Sequence, residues 1–258
     1  MLPFIVELTR EAGALLRDGL AQPRELAYKS RADLVTNVDL ASERLLVAAL
    51  RERFPDHAIV AEEGGGQREG ARYVWLIDPL DGTTNYAHGY PVFSVTLALL
   101  DQGELALGIV YDPLRDECFT AERGKGAWLN GRQLRVTGTD QLREALLSTG
   151  FPNHRFTSPD TNIAQFAAMI MRCQGIVRSG SAALDFAYVA AGRSDGHWEL
   201  GLKPWDSAAG ALLVREAGGQ VTDWNGGDYD PWNNRVVATN GLIHPEVLDV
   251  LGSTMGNT

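Results

Sequence analysis

Tyr73-Val74-Trp75-Leu76-Ile77-Asp78-Pro79-Leu80-Asp81-Gly82-Thr83-Thr84 runs from five apolar residues straight into two carboxylates, a glycine and two hydroxyls. A short apolar run bounded by turn residues reads as a buried strand, and the hydroxyls behind it read as a helix start. Asp78 and Asp81 offer two oxygens from one tight turn. Hard cations such as Mg²⁺ take oxygen ligands and keep positions open for water and phosphate. Pro79 fixes the local backbone. Gly82 lets a phosphate approach main-chain N–H groups, and Thr83 and Thr84 place hydroxyls beside it. Taken alone, two aspartates three apart are more often an Asp-rich turn with a helix cap than a metal site, so the reading needs partners elsewhere in the chain.

Those partners stand at the ends of two other apolar runs. His57-Ala58-Ile59-Val60-Ala61 is followed by Glu62, Glu63 and three glycines, and His197-Trp198-Glu199-Leu200-Gly201-Leu202 by Lys203-Pro204-Trp205-Asp206. Asp206 precedes a stretch rich in helix formers that ends in Gly218-Gly219, so on its own it reads as an N-cap. A cap does not explain why Glu62, Asp78 and Asp81 also sit at strand ends, where open sheets carry their sites.

Glu62-Glu63, Asp78-Pro79-Leu80-Asp81-Gly82-Thr83-Thr84-Asn85-Tyr86 and Trp205-Asp206-Ser207-Ala208-Ala209-Gly210 together resemble the defining motifs of the inositol monophosphatase family. Gly124-Lys125-Gly126-Ala127 and Gly180-Ser181-Ala182-Ala183-Leu184-Asp185 extend the resemblance, which runs from about Lys29 to the region of Asn240 and is nearest to the bacterial inositol-1-monophosphatase branch. The resemblance implies an α/β (α+β) fold, the layered α-β-α-β-α sandwich of the inositol monophosphatase and fructose-1,6-bisphosphatase type. It also implies a Mg²⁺-dependent, lithium-sensitive phosphomonoesterase acting on a small phosphorylated substrate, myo-inositol 1-phosphate first. Related branches hydrolyse fructose 1,6-bisphosphate, 3′-phosphoadenosine 5′-phosphate or histidinol phosphate. A different class also stays open, a regulatory binding protein associated with the transcription machinery.

Carried over residue by residue, the family pattern implies metal ligands Glu62, Asp78, Asp81, Asp206 and the Leu80 carbonyl. Glu62 and Thr83 are implied to orient the attacking water, with Asp39 holding Thr83. The Gly82 and Thr83 N–H groups, with Leu80, Asp81 and Asp206 nearby, are implied to meet the phosphate. Gly180, Ser181 and Ala182 line the pocket, and Glu199 accepts from substrate hydroxyls. Sequence physics alone favours a helix cap for Asp39 and a solvated strand-end acid for Glu199. Lys29 and Asp33 match a loop that completes a third metal position. Where close bacterial relatives carry two adjacent arginines, this chain reads Val177-Arg178.

Lys plus Arg total 23 against 33 Asp plus Glu, a formal charge of −10, which disfavours nucleic acid and anionic membranes as partners. No segment approaches the roughly 20 apolar residues that span a bilayer. Cys118 and Cys173 show no metal-type spacing and fit a reducing, cytoplasmic setting. Glu7, Arg10 and Glu11 interrupt the first residues in an amphipathic pattern, which reads as a helix and not a signal peptide. The five histidines read as surface or structural residues, and the six tryptophans as core or interface.

Periodicity predicts helices over 4–20 and 39–54, strands over 58–61 and 73–77, and an antiparallel meander through 93–101, 104–111 and 117–122. The second half alternates strand and helix: 145–149, 161–171, 175–178, 181–191, 196–199 and 206–217. That pattern calls for a parallel or mixed sheet covered by helices. An N-terminal half, 1–144, carries the main metal motifs, and a C-terminal half, 145–258, carries the pocket and Asp206. No flexible linker separates them. The family resemblance implies a homodimer, and the stretch 162–171 has apolar residues enough for core or interface.

Overall fold

Successive residues of a strand point to opposite faces of its sheet, and along 73–81 both faces are apolar. Val74 and Leu76 enter one core while Trp75 and Ile77 enter another. An antiparallel sheet usually leaves one face to solvent, so apolar residues on both sides require cover on both. The computed structural model supplies it and describes residues 1–22, 26–30 and 33–254. The side chains of Lys29 and Asp33 lie outside the described part.

In chain order the elements are α1 (Leu2–Leu20), β1 (Leu26–Ser30), β2 (Asp33–Thr36), α2 (Asn37–Arg53), β3 (Ala58–Ala61), β4 (Tyr73–Asp81) and α3 (Thr83–His88). Then come β5 (Ser94–Asp101), β6 (Glu104–Asp112), β7 (Glu117–Glu122), β8 (Ala127–Leu129), β9 (Arg132–Gln133), β10 (Leu146–Thr149), α4 (Ile163–Ile170) and β11 (Gly175–Val177). The chain closes with α5 (Ala182–Ala190), β12 (Gly196–Leu200), α6 (Pro204–Glu216), β13 (Gln220–Thr222), β14 (Arg235–Thr239) and α7 (His244–Thr254). A seven-stranded sheet runs β3 to β9 in sequence order, with β3 parallel to β4 and every other pair antiparallel. A five-stranded mixed sheet has the order β11-β10-β12-β14-β13, with β10 parallel to both neighbours.

Helices α1 and α2 cover one face of the large sheet, and α5 and α6 fill the space between the sheets. Helices α4 and α7 pack together on the far side of the small one. This is the layered α-β-α-β-α architecture. The middle layer packs closely: a Cβ on Gly108 of β6 would stand 2.8 Å from the Ala209 carbonyl oxygen of α6.

The meander and the second-half alternation match the sequence reading, and β3 and β7 match it to the residue. Three local differences bear on the site. Helix α2 starts two residues before Asp39, because Thr36 is its N-cap: the Thr36 hydroxyl accepts from the Val38 and Asp39 N–H groups, and Asp39 reciprocates by accepting from the Thr36 N–H at 2.9 Å. Helix α6 starts before Asp206, with Pro204 in its first turn, so Asp206 is the third helical residue and not the N-cap. Strand β4 continues through Asp81, four residues beyond its apolar run. Among the described residues, no helix is long and apolar enough to cross a membrane.

Candidate active site

Residues three apart on a regular strand face opposite ways, so Asp78 and Asp81 need a break in β4 to reach one site. The register supplies it. Asp78 pairs with Thr96 and Asp81 with Ser94, so β4 carries one residue more than β5 across this step, a bulge. Pro79 within it has no ladder N–H to lose, and its carbonyl accepts from the buried Ser42 hydroxyl of α2 at 2.9 Å. Gly82 follows at φ 92°, where a side chain would also press on the Val92 and Gly180 carbonyls at 3.1 and 3.2 Å. The chain then enters α3, and Asn85 ties that helix to the stretch before α5 by donating to the Val92 and Ser179 carbonyls at 2.8 and 2.9 Å.

Glu62 arrives from the parallel neighbour β3, where its N–H donates to the Ile77 carbonyl at 3.2 Å and a tight Ala61–Gly65 pair folds the glycine run back. Asp206 arrives on α6, its Oδ2 accepting from the Lys203 N–H at 2.7 Å. The Trp205 carbonyl accepts from Thr96 of β5 at 3.1 Å and holds that helix start against the large sheet. Glu62, Asp78, Leu80, Asp81, Gly82, Thr83, Gly180, Ser181, Ala182, Glu199 and Asp206 all line one cavity of about 700 Å³. Asp39 does not. It is fully buried behind the wall, with Oδ1 3.2 Å from the Thr83 hydroxyl. Thr83 Oγ1 is also 3.1 Å from the Leu80 carbonyl, so its one proton has two possible acceptors.

Asp81 departs most from a strand-end acid in solvent. It is buried, and its Oδ2 accepts from the Ser181 hydroxyl, from Ser94 Oγ at 3.1 Å and from the Ala183 N–H at 3.1 Å. One carboxylate oxygen thus joins β4, β5 and the start of α5. Among the described residues, no salt bridge involves Asp78, Asp81 or Asp206. Burial raises the pKa of all three. For Asp78, the negative charges of Glu62, Asp81 and Asp206 raise it further. Asp39 is pushed up to about 6 by burial, against the opposing Thr36 hydrogen bonds. Glu199 is pushed up to about 8 by burial and by the charges of Asp185 and Asp81.

Buried like charges without cationic partners are costly, and a bound cation is the economical remedy. The donor set consists of carboxylate and carbonyl oxygens, which suits a hard divalent ion and not zinc. Among the described residues, no three His, Cys, Asp or Glu side chains close on a single point. Mg²⁺ usually keeps several waters and takes one or two carboxylates plus substrate phosphate.

Four cavity features carry no role in the sequence reading. Asp185 is buried near Glu199, with its pKa raised by burial. Phe151, Asn153, His154 and Phe156 form part of the wall, and Arg178 also lines it. Gly150 and His197 adjoin Glu199. Asp185 and Arg178 belong to stretches already singled out; the other two follow only from tertiary contact.

The family model for the inositol monophosphatase family matches residues 1–254. The chain is 48% identical over 247 residues to a Pseudomonas aeruginosa protein named Nus factor SuhB, covering 93% of this chain and 91% of that one. Among solved structures, it is similar to the inositol monophosphatase from Anabaena at a TM-score of 0.88 and 42% identity, covering 98% of this chain and 97% of that one. It is also similar to an IMPase/NADP phosphatase complexed with Mg²⁺ and phosphate at a TM-score of 0.87 and 25% identity, covering 98% and 95%.

Proposed function

The chain belongs to the inositol monophosphatase family, whose members are Mg²⁺-dependent phosphatases, and from that premise we propose that its substrate is a small polyol monophosphate, with myo-inositol 1-phosphate the first to assay. The observation that carries this reading is the shared cavity: Glu199 faces the same space as Glu62, Asp78, Asp81 and Asp206. A cavity of about 700 Å³ falls within the usual range for small-molecule sites.

Glu62, Asp78, Asp81, Asp206 and the Leu80 carbonyl would hold the cations. When bound, Mg²⁺ neutralises charge on the phosphoryl oxygens and lowers the pKa of the attacking water. The chain's own residues do the positioning. Asp39 accepts a hydrogen bond from the Thr83 hydroxyl, which turns a Thr83 lone pair toward the cavity to accept a hydrogen bond from the water, and Glu62 accepts the water's other hydrogen bond and takes that one proton as the water attacks. N–H groups at a helix start have no intrahelical acceptor, so those of Gly82 and Thr83 at the start of α3 suit phosphoryl oxygens. Glu199 accepts from a hydroxyl of the alcohol moiety and so orients the ester in the cavity.

Glu199→Gln tests the substrate half of this reading in an assay of phosphate esters with Mg²⁺. The expected loss on myo-inositol 1-phosphate is about 1–3 kcal/mol of transition-state binding, the scale of one polar contact, with a much smaller loss on an aryl phosphate. Equal losses on both would remove Glu199 from hydroxyl recognition.

The reading includes inhibition by Li⁺, a cytoplasmic setting and a homodimer. The half-buried Cys173 and buried Cys118 are both free, in keeping with a reducing compartment. On α4 and just beyond it, Met169 and Phe166 pack into the core while Ile163, Ile170 and Met171 are exposed, which leaves an apolar face for an interface. Light scattering at micromolar concentration is expected to give twice 28.1 kDa, and a mass of one chain would reject the dimer. The 48% identity to a protein named Nus factor SuhB favours a second reading alongside catalysis, a regulatory association with the transcription machinery. Capture of that machinery from native lysate would separate it from catalysis alone.

A further inference from the structure

His197 and Glu199 stand two apart on β12 and therefore share a face of the small sheet. His197 is fully buried, with its ring 4.8 Å from that of Phe186. Parallel pairing of β10 with β12 puts Ser148 directly beside it, and Ser148 Oγ lies 3.0 Å from His197 Nδ1. The other ring nitrogen, Nε2, has no hydrogen-bond partner among the described residues and lies 3.5 Å from Glu199 Oε2. A buried polar atom without a partner is uncommon and costly, and here the nearest acceptor is the acid at the cavity wall. With Ser148 donating to Nδ1, the imidazole is the Nε2–H tautomer, and a small rotation of the Glu199 carboxylate completes the bond. The opposite tautomer would set a lone pair against an ionised Glu199 oxygen. Burial pushes the His197 pKa down to about 3, which keeps the ring neutral.

The opposite flank of Glu199 is closed by backbone. A Cβ on Gly150 would stand 2.0 Å from Glu199 Oε1 and 2.3 Å from its carboxyl carbon. Gly150 is not among the glycines of positive φ, so alanine is acceptable to the backbone there. What forbids a side chain is the place the carboxylate occupies. Glu199 is thus held between a donor on one side and a missing methyl on the other.

We propose that His197 and Gly150 are positioning residues that fix the Glu199 carboxylate in the cavity and so set the preference for polyol over aryl phosphate esters. The inference rests on the assignment of Glu199 to hydroxyl recognition. Because the atoms that a Gly150 methyl displaces are the far end of a flexible side chain, Gly150→Ala keeps the fold and moves the acid. Replacement of His197 by Phe keeps an aromatic ring against Phe186 and removes the donor. Replacement by Gln returns an N–H close to the Nε2 position.

The test compares kcat/KM for myo-inositol 1-phosphate with that for phenyl phosphate, which has no hydroxyl for Glu199 to bind. In Gly150→Ala and His197→Phe the ratio of the two is expected to fall about ten- to a hundred-fold, the effect of losing one well-placed polar contact. His197→Gln is expected to recover part of that loss, which a role in packing alone would not produce. Should His197→Phe fail to fold, Gly150→Ala decides. If the ratio falls in Glu199→Gln yet is unchanged in Gly150→Ala and any folded His197→Phe, the positioning role is overturned. If it is unchanged in Glu199→Gln, the substrate assignment beneath it is wrong instead.

Discussion

Asp78→Asn is expected to lower Mg²⁺-dependent phosphatase activity by about a thousand-fold while stabilising the metal-free protein. The two effects share one cause. Asp78 is buried among the charges of Glu62, Asp81 and Asp206, and the amide removes one of four negative charges at nearly constant volume. Its oxygen can still accept from the Leu80 N–H, a bond of 2.9 Å in the native protein. Loss of one preorganised electrostatic contact costs on the order of 10²–10³ in kcat, and a shared cation site puts the effect at the upper end. The stability effect has a definite sign with pH. A carboxyl whose pKa is raised by folding binds more protons folded than unfolded above its ordinary value of 3.8. Its penalty is therefore absent below that value, grows as pH rises from it toward the folded pKa, and is constant above both. Thermal unfolding of the metal-free native protein should show stability falling with pH above that value, less so in Asp78→Asn. Added Mg²⁺ should raise the native melting temperature and move that of the variant little. Near-native turnover at saturating Mg²⁺, or a native melting temperature indifferent to Mg²⁺, would refute the cation assignment.

What could be read from the sequence follows from how local each signal is. The motif 73–84 displays its chemistry in consecutive residues, and β5, β6 and β7 announce themselves by apolar runs separated by short turns. The hairpin of β8 and β9 and the strand β13 have three residues or fewer, too few for a period to register. The capping box Thr36-x-x-Asp39 is a local pattern, yet Asp39 has a second acceptor oxygen turned to Thr83, which is 44 residues away. A helix cap and a hydrogen bond to Thr83 therefore coexist in one side chain where the sequence reading treats cap and catalytic partner as alternatives. Asp81 looks like an exposed strand-end acid until α5 arrives. Its partners Ser181 and Ala183 are about a hundred residues on, and no pattern around Asp81 foretells them. The surroundings of Glu199 are hidden for the same reason, since Ser148 and His197 meet only through the parallel pairing of β10 and β12.

Thr83→Ala is expected to cost about 10²–10⁴ in kcat, the range for a group that helps move a proton in the transition state, with KM nearly unchanged. The hydroxyl stands between the buried Asp39 carboxylate at 3.2 Å and the cavity. A threonine that donates to Asp39 presents its lone pairs to water, whereas one that donates to the Leu80 carbonyl, 3.1 Å away, occupies an oxygen assigned to the cations. Catalysis on this reading uses the first rotamer, and an ionised Asp39 favours it because a carboxylate is the stronger acceptor. Burial raises the Asp39 pKa to about 6 in the metal-free protein, so the acid limb of the rate profile should carry a contribution from Asp39 that disappears in Thr83→Ala. Thr83→Ser keeps the hydroxyl and should recover most of the rate. Asp39→Asn is the less clean probe, because the same side chain caps α2 through the Thr36 N–H, and its loss of activity would be mixed with loss of stability. If Thr83→Ala retained native kcat while still folded, or if Thr83→Ser were as impaired as the alanine variant, the proton-handling role would pass from Thr83 to Glu62 alone.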